Sequence, residues 1–217
     1  MRDDDPFFDC HREIQDRYGQ RALADRTAQA IVHSEFTEQD CNFISGRDFF
    51  FLSSVAPDGH PTVSYKGGSP GFVQIENNEL VFPCYDGNGM FLSMGNITAD
   101  PKVGLLFMDF ERPRRLRVQG LARLDEHGVR ESFPGALFLV RVAPLQIFVN
   151  CPRYVHKYTR VEASKYVPQK NGTAPLAQWK RLKVVYDTLS PEDQAKVERE
   201  GFISLEEYEA KVESGDG

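Results

Sequence analysis

Between Phe49 and Asn150 the chain breaks into short β-rich runs at close spacing, with no helical pattern recurring between each pair. That rhythm favours antiparallel strands joined by tight turns over a parallel sheet, whose crossovers each need a dozen or more residues. "FFFLSSV" and "TVSYKG" flank the Pro-Asp-Gly turn of "APDGH", and "GFVQIENNELVF" turns at Asn-Asn. "KVGLLFMDF", "RLRVQGLARL" and "ALFLVRVAPLQIFVN" follow. Proline presets one turn angle, while glycine and asparagine tolerate the left-handed backbone that such turns require. "FLSMGNITADP" is the exception and reads as one short helix ended by Pro101. The pattern is that of an antiparallel barrel, mainly β with peripheral helices.

Residues 10–33 set Ile14, Tyr18, Leu23, Ala30 and Ile31 among charges at a helical period, with Gly19 as a break, so one or two helices lead in. Beyond "CPRYVHKY" the chain turns polar, and "SPEDQAKVEREGFISLEEYEAKV" reads as two short helices. Ser190 would cap the first, with Pro191 at its first position. The expected division is a helical lead-in over 1–44, a β domain over 45–160 and an acidic helical extension over 161–217. A length of 217 residues, 41% of them hydrophobic, suits one compact domain with terminal additions.

No apolar run approaches the roughly 18 residues that cross a bilayer, and the start, "MRDDDPFFDC", is acidic where a secretory signal is basic and then apolar. The expectation is a soluble cytoplasmic protein with no membrane partner. A net charge of -6 argues against a nucleic-acid binder, yet the charge is uneven. From Asp187 to Gly217 there are ten Asp or Glu against three Lys or Arg, a local -7, so the remainder is close to neutral and can carry a basic patch. Cys10, Cys41, Cys84 and Cys151 are too scattered to grip zinc from one turn and read as reduced structural thiols. His11, His33, His60, His127 and His156 show no metal-binding spacing, and neither a "GxSxG" elbow nor a cysteine-protease signature occurs.

Three features could hold an anion. "DGNGM", Asp86 to Met90, places two glycines around one asparagine before an apolar turn, so its amides can converge on a phosphate, or it is a tight strand-to-helix turn. Lys66 ends a strand of small and aromatic residues, where it can neutralise a phosphate or simply lie along a sheet edge. Strand alternation sends Arg115 and Arg117 to one face, where paired guanidiniums bind phosphate, polarise a ring carbonyl or face solvent.

Taken in order, "FFFLSSVAPDGHPTVSYKGG", "LVFPCYDGNGMFLSMGNITADPKVGLLF" and "RRLRVQGLARL" resemble the pyridoxamine 5'-phosphate oxidase-like flavin proteins over roughly residues 45–125, with "IQDRYG" and "NCPRYVHKY" similar to one uncharacterised branch. The resemblance implies an antiparallel split β-barrel of the FMN-binding type, forming a homodimer with FMN at the interface and acting on a small-molecule substrate. It places Thr62, Val63, Ser64, Tyr65 and Lys66 beside the isoalloxazine, with Lys66 and the following loop reaching the ribityl phosphate. Asn88, Gly89 and Met90 would supply amides, Asn96 would fall near the helical exit of that loop, and Arg115 or Arg117 would face the cofactor. Two motifs depart from the oxidase itself. Its basic "RK" pair before the short helix is "FLS" here, Phe91 to Ser93, and its "RLHDR"-like substrate motif is replaced by "AQWKRLKVVYDTL". Pyridoxamine phosphate is therefore not the expected substrate. The implied activity is hydride or electron transfer through FMN. A flavin or haem carrier on the same fold, or a deazaflavin F420 enzyme, is the alternative.

Overall fold

The computed structural model describes residues 6–126 and 132–217, so His127 lies outside the described residues. The chain divides into two compact units, Met1–Val161 and Glu162–Gly217.

The first unit is built on seven strands: β1 (Phe49–Val55), β2 (Pro61–Gly67), β3 (Gln74–Glu76), β4 (Glu79–Tyr85), β5 (Lys102–Asp109), β6 (Arg114–Asp125) and β7 (Ala136–Asn150). They form one sheet in the order β2-β1-β5-β6-β7-β4-β3. Every neighbouring pair is antiparallel, as the turn chemistry anticipates. The sheet does not close, and β2 and β3 are its edges. The Pro-Asp-Gly turn is tied by Ala56 N–H to His60 O and Gly59 N–H to Ala56 O, with Gly59 at φ +90°. Asn77 and Asn78 both adopt the left-handed backbone, at φ +50° and +62°, which twists the β3–β4 hairpin in the favoured sense.

β7 is the longest strand and serves both halves, pairing with β4 through Leu80↔Val142 and with β6 through Val118↔Ile147. Its register against β6 shifts at Gln119/Gly120, opposite Pro144. Proline has no N–H for a ladder, and a bulge is where a strand can hold one. A Cβ on Gly120 would lie 2.4 Å from Ala143 O, so the backbone approach there needs glycine. Phe50, Phe82 and Phe107 are fully buried at the centre of the core, and the Phe50 ring lies 5.0 Å from Phe82 and 5.1 Å from Phe107.

The lead-in forms α1 (Asp9–Arg17) and α2 (Arg21–Ile31), separated at Gly19 with φ +63°. Neither buries a side chain: Ile14 and Leu23 stay exposed, and ion pairs Arg12–Asp25 and Arg21–Asp16 fasten the hairpin. A third helix, α3 (Glu38–Ser45), was not anticipated. Its signal is local: Thr37 caps Asp40 N–H through its hydroxyl, and Asp40 returns the bond to Thr37 N–H at 2.9 Å.

The same Asp40 oxygen also accepts from the Thr37 hydroxyl at 2.6 Å and meets His33 Nε2 at 2.8 Å. Burial opposes the charge, but bonds from Thr37 and then His33 outweigh it and hold this carboxyl below the usual carboxylate range. A depressed folded pKa stabilises above the unfolded value and is lost as pH falls through the folded one. Asp40→Asn is therefore expected to lower stability by about 0.5–2 kcal/mol at neutral pH, with the gap to the parent closing in acid. Urea melts of both proteins at neutral and acid pH measure this, and a gap that does not narrow in acid would refute it.

A fourth helix, α4 (Leu92–Ala99), follows β4 and stops before Pro101 as expected. The second unit holds two short 3₁₀ turns and the helices α5 (Pro191–Glu200) and α6 (Leu205–Ser214). Ser190 caps α5 with Pro191 at its first position, and Ser204 and Glu207 form a capping box on α6. Inside this unit the nearly buried Lys180 meets Asp193 at 2.7 Å. Among the described residues, no helix is long and apolar enough to cross a membrane.

Candidate functional site

The inward rows of β1 and β2 differ in character. Phe50, Leu52 and Ser54 face inward on β1, and their register partners on β2 are Lys66, Ser64 and Thr62. This polar row meets α4. Asn96, buried, donates to Ser54 Oγ at 3.1 Å and to Thr62 Oγ1 at 3.2 Å, while Ser54 and Thr62 share a bond of 3.0 Å. Ser64 and Ser93 pair at 3.0 Å. Asn96, on the helix that the loop enters, thus pins α4 beneath β1 and β2, and the hydroxyls of Ser54, Thr62, Ser64 and Ser93 each have a partner.

Lys66 does not. Its half-buried ammonium has no hydrogen-bond acceptor or carboxylate partner among the described residues, and burial depresses its pKa. Cys84 on β4 lies close enough to perturb it. Burial pushes that thiol up against the pull of Lys66, so the thiol stays neutral and gives no counter-charge. The row on β2 and the end of β4 therefore approach each other at Lys66, and this gap between the two strands holds a cation without a carboxylate partner among the described residues.

The loop of residues 86–91 borders this gap. Gly89 has φ +74°, and a Cβ on Gly87 or Gly89 would meet nothing within 4 Å, so both residues border open space on their Cβ side. Met90 N–H is taken by Asn88 Oδ1 at 3.1 Å, which leaves it unavailable in this arrangement. Phe91 ends the loop in the left-handed region at φ +46°, a strained state for a bulky residue. Its ring stacks on Phe138 at 6.2 Å.

On the outer face, Val63 is 69% and Tyr65 62% exposed. Tyr65 lies over Gly67, where a Cβ would come within 2.7 Å of its ring, and stacks on Phe49 at 5.3 Å. Phe49 stacks on Phe110 at 5.9 Å, and Phe110 meets Tyr158 edge-on at 5.4 Å. Arg115 and Arg117 share this outer face, between the buried Leu116 and Val118. Three strand spacings, about 14 Å, separate their strand from β2, too far for one phosphate to meet them and Lys66 within a subunit. The buried Nε of Arg115 and Oδ1 of its register partner Asn150 are both without a hydrogen-bond partner.

Residues 36–141 match the family model described as pyridoxamine 5'-phosphate oxidase, a span from before α3 into β7 that contains the gap, the loop and α4. Over these residues the chain is similar to the pyridoxamine 5'-phosphate oxidase family. Three solved structures are similar to the sheet-bearing half of the chain. HupZ of Group A Streptococcus is 15% identical, with a TM-score of 0.44, 57% of this chain covered and 99% of that one. HutZ, the heme storage protein from Vibrio cholerae, is 17% identical with a TM-score of 0.39, covering 53% and 94%. An FAD binding protein from Mycobacterium smegmatis is 17% identical with a TM-score of 0.39, covering 53% and 95%. No curated protein matches the chain.

Thr62, Ser64 and Lys66 point inward and Val63 and Tyr65 outward, so the strand expected to form one site presents two different faces by alternation. Ser54, Ser93 and Cys84 were missed. The alternation of Thr, Ser and Lys in "TVSYK" is the signal that could have drawn attention to them. Among the described residues, no group of three or more His, Cys, Asp or Glu is placed to hold a metal.

Proposed function

We propose that this protein is a flavin-dependent oxidoreductase that holds FMN against the split between β2 and β4, as a homodimer. The observation that carries the reading is Lys66, a half-buried ammonium with no partner of its own beside an open glycine loop. An isolated buried charge is costly, and a phosphate there would relieve it. Gly87 and Gly89 leave room for the phosphate to reach main-chain amides. β2 is an edge strand, so its free backbone groups from Thr62 to Lys66 can bond a planar ring's polar rim.

A bound flavin supplies the hydride or electron transfer. The chain's own residues orient it: Asn96, Ser54 and Thr62 fix α4 and the loop, and the apolar Phe91 and Met90 border the gap. Arg115 and Arg117 stand on the outer face, where they would meet a second subunit or a substrate lying in the interface rather than the phosphate beside Lys66. Absorbance of the purified protein tests the reading: flavin bands that bleach with NADH or NADPH support it, a Soret band points to haem, and no bound chromophore after FMN is added refutes it.

The homodimer rests on exposed apolar groups on two neighbouring parts of the domain, Val63 and Tyr65 on the outer face of β2 and Met90, Phe91 and Leu92 where the loop enters α4. The expected result is a dimer at micromolar concentration by sedimentation. A monomer that still retains flavin would contradict it.

A further inference from the structure

The stretch that follows β7 is strained without any internal reward. Tyr154 stands at φ +67° in the third position of a turn closed by Val155 N–H on Pro152 O at 3.1 Å, a place that glycine or asparagine fills most easily. Its ring is 87% exposed and touches the Arg153 guanidinium at 6.0 Å. The segment then returns to the sheet: Tyr158 N–H donates to Phe110 O, its exposed ring sits edge-on to Phe110, and Arg160 pairs with Asp48.

This end of the sheet differs in charge from the rest of the molecule. Residues 47–48, 109–115 and 151–160 hold seven Lys or Arg against three carboxylates, a local +4 in a chain of net -6. Asp109 and Asp48 are engaged by Arg47 and Arg160. Arg112, Arg153 and Lys157 have no carboxylate partner among the described residues.

We infer that this end docks an acidic protein and, resting on the flavin reading above, that the partner is a one-electron carrier. Exposed tyrosine and arginine at a turn tip form a protein-recognition surface rather than an enclosure for a small molecule. The net negative charge of the chain disfavours an extended polyanion such as nucleic acid, whereas a compact acidic patch meets only the basic end. The packed rings Tyr158, Phe110, Phe49 and Tyr65 connect the returning segment to the outer face of β2, the strand whose edge would carry the flavin. Each carrier gives up one electron; two such transfers, with two protons from solvent, make up one two-electron reduction of the bound flavin.

The test uses a plant-type ferredoxin as the acidic probe and titrates it calorimetrically into the full chain, with and without FMN, at low and moderate salt. Binding that weakens at least tenfold with salt is expected. Arg153→Glu with Lys157→Glu should weaken it at least tenfold, whereas Lys102→Glu, at the opposite end of β5, should leave it unchanged. Tyr154→Gly should weaken binding while raising the melting temperature, since glycine removes the backbone strain. The inference is overturned if the parent does not bind, if Lys102→Glu acts like the double reversal, if an oligonucleotide of equal charge binds as well, or if Tyr154→Gly dissociates the homodimer, which would assign the turn to self-association. Failure of the flavin reading looks different: no flavin is retained, while docking to the flavin-free chain is still measured.

Discussion

Replacing Lys66 with alanine is expected to weaken FMN binding by roughly ten- to a hundredfold, the loss of one charge-assisted contact worth about 1.5–3 kcal/mol. Phe91 to Ser93 carry no basic group where the oxidase has two, and the Arg115 strand lies three spacings away, so neither supplies a cation that could compensate. Riboflavin lacks the phosphate and should bind parent and variant almost equally. The desolvated ammonium also makes affinity pH-dependent: FMN binding should fall as pH rises through the Lys66 pKa, which burial sets below that of free lysine. Fluorescence titrations with both flavins measure these effects. If the substitution weakens riboflavin as much as FMN, Lys66 supports the strand or the ring and the phosphate assignment is wrong.

The second large effect concerns packing. Gly120→Ala is expected to destabilise the fold by about 1–3 kcal/mol, because its Cβ would stand 2.4 Å from Ala143 O and 2.8 Å from Val142 Cγ1. Backbone cannot rotate away as a side chain can, and the bulge opposite Pro144 fixes the approach. For a chain of this size the melting temperature should drop by several degrees, roughly 2–4 °C per kcal/mol. Gly104→Ala is the control. Its Cβ would meet only Ser53 Cβ at 3.8 Å, an ordinary contact, so its melt should stay close to the parent's. Equal melts for the two variants would show that the bulge relaxes freely.

What could be seen in the sequence is what short-range chemistry determines. The Pro-Asp-Gly and Asn-Asn turns, the helix stopped by Pro101 and the Ser190 cap all lie within a few residues of their cause, and the structure has each where it was expected. The outer-face pairing of Arg115 and Arg117 follows from alternation alone. By the same standard α3 was readable, since Thr37 and Asp40 form its capping box. The role of Asn96 was not readable, because its partners Ser54 and Thr62 lie more than thirty residues away and become neighbours only when α4 folds under the sheet. Nor could the missing partner of Lys66 be read, for a lone lysine in a strand looks the same whether or not a carboxylate approaches from elsewhere.

β7 governs how the molecule is assembled as well as how it stands. It is the last of the seven strands to leave the ribosome, and it alone joins β6 to β4. Before Asn150 emerges, β2, β1, β5 and β6 can pair in sequence, but the β3–β4 hairpin has no sheet to join and the far side of β6 is an unpaired edge. Contacts as distant as Leu80 with Val142 must then close in one late step. Folding should accordingly be slow for a domain of this length, with a transient edge open to strand exchange between nascent chains.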